Sequence, residues 1–435
     1  MKRLTIVLCL CSVLVGCGAV PSQTPTNAPA SLPPSSVSNI SQEENTSASS
    51  GSTPVSIPSA SVAEPSQEIP SAVASKPAVS SNKKPTDITT LTPSAPSSPT
   101  APETLHITKG GDYSLTGNKQ DVMITVDAKD QIVNLTLAGV TVANTKGPAL
   151  YVASAKQVNL ILAKGTQNIL SDGTSYTLSD GTSHLDAALF SRSDLHLSGE
   201  GSLTVQGNCK HGIVSKDDLV ITSGRYHIQS KNVALEGKDC VTIGGGTFTL
   251  KAGTDGIRAT NTENPNKGEV SVQGGTLTVT AGNDGVQAAT NITVAGGEMT
   301  LTAGQSGFQA QGAYRQTGGK VTLFGTVGSG KALLNAKTAA SIEGGTFLGF
   351  GDHTKAKHFT NAKGGCALLL PFANQSANTP FLLTKGGNQV VKATPTVAYS
   401  LALVYTPALT TGEYTLTLGN KTAGFTVNTN LFTLQ

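Results

Sequence analysis

One pattern recurs from Gly212 to Gly345 and limits what this chain can fold into. Two columns of small residues return at nearly constant intervals, and both contain the same seven-residue excess at the same step. The first column contains Gly224, Gly246, Gly275, Gly297, Gly319 and Gly345, and the second contains Gly212, Ala234, Gly256, Gly285 and Gly307. Because both columns keep the same steps, one structural unit is repeated about every 22 residues.

Apolar residues alternate within each unit. Leu219 and Ile221 precede one turn, Tyr226 and Ile228 follow it, and later units repeat this arrangement together with a third, shorter run such as the one at Ile257. Alternation with period two predicts strands with one buried face. A unit of 22 residues is too short for a βαβ crossover but fits one coil of a parallel β-helix, with coils stacked about 4.8 Å apart. The sequence therefore predicts an all-β solenoid.

The first residues have the features of an export signal. Lys2 and Arg3 precede an apolar run that is too short to be a permanent membrane span. Leu14-Val15-Gly16-Cys17 resembles the bacterial lipobox, which implies cleavage after residues 1–16 and lipid modification of Cys17. An ordinary signal peptide with an incidental cysteine is the alternative. The first interpretation predicts a lipoprotein anchored at the extracellular face of a bacterial cell membrane.

Composition divides the rest of the chain. Residues 17–102 are rich in Ser, Pro, Thr and Ala, which predicts a disordered tether. Residues 103–370 have strand-like runs and form the predicted β-helix domain. Residues 371–435 carry further β runs without a linker, which favours a C-terminal β cap over a separate domain.

Charge argues against one class of partner. The net charge is only +3, so nucleic-acid binding has no electrostatic support. Tryptophan is absent and aromatic residues make up 4% of the chain, so aromatic stacking platforms are scarce. Nothing in the sequence specifies an oligomeric state.

Several motifs in the repeated region carry a resemblance to a known family. They include Lys210-His211-Gly212-Ile213, Asp255-Gly256-Ile257-Arg258-Ala259 and Asp284-Gly285-Val286-Gln287-Ala288. With the strands that follow, the region from about residue 105 to 435 resembles the carbohydrate-binding domain lipoproteins of clostridia. This resemblance implies an extracellular, right-handed parallel β-helix, similar in fold to pectate lyases, that binds calcium and polysaccharides such as polygalacturonate and cellulose. The third copy, Gln305-Ser306-Gly307, departs from the pattern because it lacks the aspartate.

Aspartates at equivalent positions of successive coils predict a Ca²⁺ site. Asp255 and Asp284 would stack, and two carboxylates about 5 Å apart repel unless a cation lies between them or one is protonated. Ca²⁺ takes six to eight oxygen ligands, and Asn261 and Glu263, in the loop from Asn261 to Gly268 that holds the seven-residue excess, are further candidates. The alternative is that Asp before Gly only forms a turn.

A second column contains Asp217 and Asp239 and ends at Asn261. These residues are also candidate metal ligands. The alternative interpretation is a stack of turn residues without a ligand.

An outward polar row is predicted beside the Asp255 column. It contains Glu236, Arg258, Gln287 and Gln309, on the face where related lyases hold their substrate. Arg258 beside a metal-bound carboxylate could take part in lyase chemistry. Because Glu236 lies one coil away and would pair with Arg258, we favour an ion pair or ligand contact, and we assign no catalytic residue.

Three functions are compatible with these features. The leading hypothesis is a non-catalytic surface lipoprotein that binds a polysaccharide, which can be acidic and pectin-like, through a calcium-bearing face. The second is a polysaccharide lyase acting on uronates. The third is an adhesive or spacer protein without a sugar ligand.

Overall fold

A computed structural model of the chain describes residues 86–87, 103–176 and 184–435. The predicted signal peptide, the lipid-modified Cys17 and almost all of the predicted tether lie outside these residues. The described chain is all-β apart from one 3-10 helix at His353–Lys355, and it forms a β-solenoid of about ten turns. The predicted parallel β-helix is confirmed.

Three ladders of parallel strands run along the solenoid, and each coil contributes one strand segment to each ladder. Ladder 1 consists of β2 (Glu103–Ile107), the first parts of β4 (Val122–Ala143) and β5 (Leu150–Leu162), β7 (Ala187–Ser191), β10 (His211–Ser215), β13 (Leu235–Gly237), β16 (Ile257–Ala259), β19 (Val286–Ala288), β22 (Phe308–Ala310) and β25 (Leu334–Ala336).

Ladder 2 follows ladder 1 in every coil. It consists of β1 (Thr86–Asp87), the first part of β3 (Gly111–Gln120), the middle of β4, the end of β5, β8 (Asp194–Gly199), β11 (Asp218–Ile221), β14 (Cys240–Ile243), β17 (Glu269–Val272), β20 (Ile292–Val294), β23 (Tyr314–Gln316), β26 (Ala340–Ile342) and β28 (Asn361–Ala362).

Ladder 3 completes each coil. It consists of the last parts of β3 and β4, β6 (Gln167–Ser171), β9 (Ser202–Gly207), β12 (Arg225–Ser230), β15 (Thr247–Ala252), β18 (Thr276–Ala281), β21 (Glu298–Ala303), β24 (Lys320–Gly325) and β27 (Thr346–Gly351). The coils used below are coil 4 (187–207), coil 5 (211–230), coil 6 (235–252), coil 7 (257–281), coil 8 (286–303), coil 9 (308–325) and coil 10 (334–351).

The register of these ladders matches the sequence repeat. In ladder 1, Leu235 pairs with Ile257, Ile257 with Val286, and Val286 with Phe308, and these side chains are fully buried. The seven-residue excess, 262–268, leaves the ladder between β16 and β17, so the register on either side is unchanged. Because each coil buries its apolar residues only against its neighbours, a single coil cannot form a core by itself.

The first glycine column exists because the coils approach closely at the turn between ladders 2 and 3. Gly275 has φ +87°, a conformation that side chains other than glycine rarely adopt. A Cβ atom there would lie 2.7 Å from the carbonyl oxygen of Gly246 in the coil before. The repeat is therefore visible in the sequence because stacking leaves no room for a side chain.

The C-terminal segment closes the solenoid by reversing strand direction. It contains β29 (Ala367–Gln375), β30 (Phe381–Lys385), β31 (Asn388–Ala393), β32 (Tyr399–Tyr405), β33 (Gly412–Leu418), β34 (Lys421–Val427) and β35 (Leu431–Thr433). Strand β32 pairs antiparallel with β27 of the last coil, whereas β30, β31, β33 and β34 form a separate antiparallel sheet. Strand β29 spans the predicted boundary at residue 370, and β32 packs onto the last coil through its pairing with β27.

None of the described segments is a helix of the length and apolarity needed to traverse a membrane.

Candidate functional site

The outer surface of ladder 1 carries one row of polar side chains along the solenoid axis. Glu236 pairs in register with Arg258, Arg258 with Gln287, Gln287 with Gln309, and Gln309 with Asn335. We call these five residues the outer row. The predicted stacking of its first four members is confirmed, and Asn335 is a fifth member that the sequence did not reveal.

The first two residues of the outer row, Glu236 and Arg258, form an ion-pair network within the protein. The Arg258 guanidinium donates to Glu236 Oε2 from Nη2 at 2.6 Å and from Nε at 3.2 Å, and Lys216 Nζ lies 3.3 Å from Glu236 Oε1. Burial by itself raises the pKa of Glu236, but the positive charges of Arg258 and Lys216 outweigh this effect and hold the pKa below its usual value. Glu236 is therefore a buried, ionised counter-ion.

A corner precedes ladder 1 in each coil. We call the column of Val233, Asp255, Asp284 and Ser306 the leading corner. Asp255 Oδ1 accepts a hydrogen bond from the backbone N–H of Asp284 at 3.3 Å, and Asp284 Oδ1 accepts one from Ser306 N–H at 2.9 Å. Asp255 Oδ2 accepts from Arg258 Nη1 at 3.1 Å. The predicted stacking of Asp255 on Asp284 is confirmed.

These contacts engage most of the carboxylate oxygens of the leading corner. Both oxygens of Asp255 and one oxygen of Asp284 already accept hydrogen bonds from the protein. Burial raises the pKa of Asp284, and the nearby charge of Asp255 adds to this effect. Because the protein itself supplies a hydrogen-bond donor to three of these four oxygens, the leading corner serves to hold the backbone of the next coil and Arg258.

A second corner follows ladder 1 and is rich in carboxylates. We call Asp194, Asp217, Asp218 and Asp239 the trailing corner. Asp194, Asp217 and Asp218 each offer a carboxylate oxygen, and these oxygens lie within 4.8 Å of one another. All three side chains are partly exposed. Three carboxylates from two adjacent coils thus face one small volume that solvent can reach.

Asp239 in the next coil already has two partners. Asn261 Nδ2 donates to Asp239 Oδ1 at 2.5 Å, and Lys267 Nζ forms an ion pair with Oδ2. Burial acts to raise the pKa of Asp239, but the hydrogen bonds from Lys267 and Asn261 outweigh it and lower the pKa. The loop that forms the seven-residue excess therefore places the positive charge of Lys267 at this corner.

The predicted metal ligands divide between the two corners. Asp255 and Asp284 precede ladder 1, whereas Asp217, Asp239 and Asn261 follow it. The Glu263 side chain is highly exposed and lies 3.6 Å from Lys238, and Asn261 Oδ1 accepts the backbone N–H of Glu263 at 2.9 Å. Asn261 and Glu263 are thus on the opposite side of β16 from the Asp255 pair that they were expected to complete.

Asp217 has a strongly raised pKa at the trailing corner. Burial, a hydrogen bond shared with Asp239 and the charges of Asp194 and Asp218 raise the pKa of Asp217 to about 6. This is the effect expected of carboxylates without enough positive charge around them. Oxygen ligands of this type, held close together and partly solvated, are those that Ca²⁺ prefers. The trailing corner fits a hard divalent cation.

The sequence interpretation missed Asp194 and Asp218. Leu219 pairs with Leu195, so Asp218 stacks on Asp194 in ladder 2. Both strands begin with Asp followed by Leu, and this shared pair could have revealed the stacking. It was overlooked because coil 4 lies before the regular repeat and is separated from coil 3 by a loop.

A Ser, His and Asp group in the last coil and cap does not have the geometry of a hydrolase triad. His353 Nδ1 lies 2.8 Å from Ser400 Oγ and 3.9 Å from Asp352 Oδ1, so both partners face the same ring nitrogen. A triad needs them on opposite nitrogens. Ser400 is also fully buried, so this group holds the cap to coil 10.

The fold and this surface together define a class, a parallel β-solenoid with an axial row of polar side chains between two acidic corners. The family described as "Carbohydrate-binding domain-containing protein" matches residues 101–352, which is more than half of the chain, and the chain belongs to that family. The match covers the solenoid from its first coil to its last.

Two individual proteins are similar to parts of the chain. A carbohydrate-binding domain-containing protein of Acetivibrio thermocellus (strain ATCC 27405) is 36% identical over 126 residues, which are 28% of this chain and 44% of that protein. The chain thus spans less than half the length of this curated relative. The solved structure of a polysaccharide lyase-like protein from C. thermocellum, a gadolinium derivative, is 33% identical, with a TM-score of 0.48 over 51% of this chain and 89% of that one.

Proposed function

We propose that this protein binds a polysaccharide without cleaving it, with the sugar chain lying along the outer row of ladder 1. The observation that carries the proposal is the continuity of that row, which places one polar side chain per coil over five successive coils. A repeated surface of this kind suits a ligand that is itself a linear repeat. Membership of a family named for carbohydrate binding supports the same function.

Binding is a better proposal than lyase chemistry because of how Arg258 is held. Its guanidinium donates to Glu236 and to Asp255, both of which are buried carboxylates. Removing a proton from a sugar would require a free base close to the ligand. Arg258 instead links the outer row to the leading corner, and its positive charge balances the negative charges of Glu236 and Asp255.

We propose Ca²⁺ at the trailing corner, held by Asp194, Asp217 and Asp218 with Asp239 beside them. The supporting observation is the close approach of three carboxylates together with the raised pKa of Asp217. A bound cation would remove the repulsion between these groups and stiffen the connection between ladders 1 and 2. An acidic, pectin-like ligand would need such a cation as a bridge, because the trailing corner is negatively charged.

We also propose that the mature protein is anchored through lipid on Cys17 at the extracellular face of the bacterial membrane. The support is the lipobox-like sequence after a short basic and apolar segment. Metabolic labelling with an alkyne-modified palmitate tests the anchor. The intact chain is expected to be labelled and to sediment with membranes, whereas Cys17→Ser is expected to lose both properties. Equal labelling of the two proteins would rule out Cys17 as the site.

The test of polysaccharide binding is a pull-down of the chain from residue 17 onward, carrying Cys17→Ser, on insoluble cellulose and on cross-linked polygalacturonate. Each matrix is used with Ca²⁺ and with a chelator. Retention on at least one matrix, reduced by soluble competitor sugar, is the expected result. A protein that passes through every matrix in both conditions would support the adhesive or spacer function instead.

A further inference from the structure

We propose that the second half of the outer row, Gln287, Gln309 and Asn335, is the segment that contacts the sugar and that it recognises uncharged sugar units through their hydroxyl groups. We call these three residues the amide row. This inference rests on the proposed polysaccharide binding and specifies where on the row, and for what chemical class of ligand, recognition takes place.

The charges of the outer row are already used within the protein. Lys216, Glu236, Arg258 and Asp255 form one connected network in coils 5 to 7. Displacing Arg258 to receive a sugar carboxylate would leave the buried Asp255 without its cation and Glu236 with Lys216 alone, which is unfavourable. The charged half of the row is therefore structural, and an anionic ligand gains no free cation there.

The amide row, by contrast, has unused hydrogen-bonding groups. Asn335 Nδ2 donates to Gln309 Oε1 at 2.6 Å, and Lys357 Nζ donates to Asn335 Oδ1. Asn335 is thus bonded through both its nitrogen and its oxygen, whereas Gln309 is bonded through its carbonyl oxygen. The amide of Gln287 and the Nε2 group of Gln309 have no hydrogen-bond partner among the described residues, although both side chains are partly buried.

The surroundings leave these amides accessible from outside. Each of β19 and β22 has three residues, and the first and last of them point into the core. Each strand therefore has one outward side chain, Gln287 in β19 and Gln309 in β22. Successive coils rise by about 4.8 Å, which is close to the length of one sugar unit in an extended chain.

Amides suit hydroxyl groups because each amide both donates and accepts hydrogen bonds. A carboxylate ligand accepts only, so it could use the NH₂ groups of Gln287 and Gln309 but not their carbonyl oxygens. Lys357, the cation that contacts the row, already donates to Asn335 Oδ1 at the end of the row. The matched chemistry is therefore that of a neutral polysaccharide whose hydroxyl groups repeat along the solenoid axis.

The test compares binding of the Cys17→Ser chain to hydroxyethyl cellulose, as the uncharged probe, with binding to polygalacturonate, as the charged probe. The variant is Gln287→Ala with Gln309→Ala. The matched control is Thr249→Ala with Thr278→Ala, two exposed residues at equivalent stacked positions on ladder 3. Thermal unfolding of all three proteins checks that they are folded.

We expect the unaltered protein to bind the uncharged probe with an affinity that changes little between about 0.05 M and about 0.5 M NaCl, because no ion pair forms with the ligand. The Gln variant should bind it about tenfold more weakly, and the Thr control should bind normally. Binding to polygalacturonate alone, or equal binding by the folded Gln variant, would overturn the inference while leaving polysaccharide binding intact. Binding to neither probe would instead count against the proposed function itself.

Discussion

The two corners that flank ladder 1 use the same residue type in opposite ways. At the leading corner, Asp255 and Asp284 are buried and accept hydrogen bonds from the backbone of the next coil. At the trailing corner, Asp194, Asp217 and Asp218 are partly exposed and approach one another. A stacked aspartate is therefore a structural acceptor when a backbone N–H lies over it, and it becomes a potential cation ligand when another carboxylate does.

The largest expected effect comes from removing the structural carboxylate. Asp255→Ala leaves the Asp284 N–H and Arg258 Nη1 without an acceptor, so we expect the free energy of unfolding to fall by about 3 kcal/mol. Denaturant unfolding in the absence of Ca²⁺ measures it. Asp284→Ala, which removes one such acceptor contact, should cost about half as much. Wild-type stability of Asp255→Ala would contradict a structural role.

Removing a carboxylate from the trailing corner should not reduce stability in the absence of Ca²⁺. Asp217→Asn removes one of three crowded carboxylates, so we expect unchanged or slightly higher stability without Ca²⁺. In the unaltered protein, saturating Ca²⁺ should raise the unfolding temperature by a few degrees, since a ligand that binds the folded state stabilises it. This rise should disappear in Asp217→Asn and persist in Asp284→Asn. A rise that disappears only in Asp284→Asn would place the ion at the leading corner.

The pH dependence of the Ca²⁺ effect should separate the corners further. The pKa of Asp217 is raised to about 6 in the folded protein, so its contribution to stability is present at low pH and is lost as the pH rises from about 4 through about 6. Ca²⁺ competes with that proton. We therefore expect a small thermal shift by Ca²⁺ at about pH 5 and a larger one at about pH 7.5. Scanning calorimetry of the unaltered protein and of Asp217→Asn checks this, and equal shifts at both pH values would contradict it.

The smallest expected effect concerns the cation that the protein itself supplies. Lys267→Ala removes the ion pair with Asp239, which is solvent-exposed on the lysine side, so we expect only a slight loss of stability without Ca²⁺. With Ca²⁺ present, the difference should shrink, because the metal replaces part of the lost positive charge. Titration calorimetry should also show Ca²⁺ binding at least as tightly as in the unaltered protein. Weaker binding would indicate that Lys267 positions the ligands.

Much of the fold was predictable because the stacking of coils restricts which residue types can occupy the repeated positions. Gly275 marks a turn where a Cβ atom would meet the Gly246 carbonyl, and Val286 marks a buried position between Ile257 and Phe308. The reversal of direction at β32 had no such signal, since its residues are buried at every position and a parallel strand covered on both faces would look the same.

The candidate site was predictable only in part. Spacing placed Glu236 under Arg258 and Asp255 under Asp284, and these pairs are confirmed. Spacing also placed Asn261 in the column of Asp217 and Asp239, and Asn261 does contact Asp239. The expectation that Asn261 would also serve the Asp255 pair was wrong, because β16 lies between the two corners. Asp194 was missed because its coil is outside the regular repeat.

The sequence by itself determined the coil, its three strands and the column to which each residue belongs, because residues one repeat apart must stack when the backbone pairs in parallel. Only the tertiary structure decided what each polar residue in a column meets. That depends on whether the nearest group across the 4.8 Å between coils is a backbone N–H, a cation or another carboxylate, and periodicity carries no information about that partner. Aspartate is therefore a structural hydrogen-bond acceptor on one side of ladder 1 and a proposed Ca²⁺ ligand on the other.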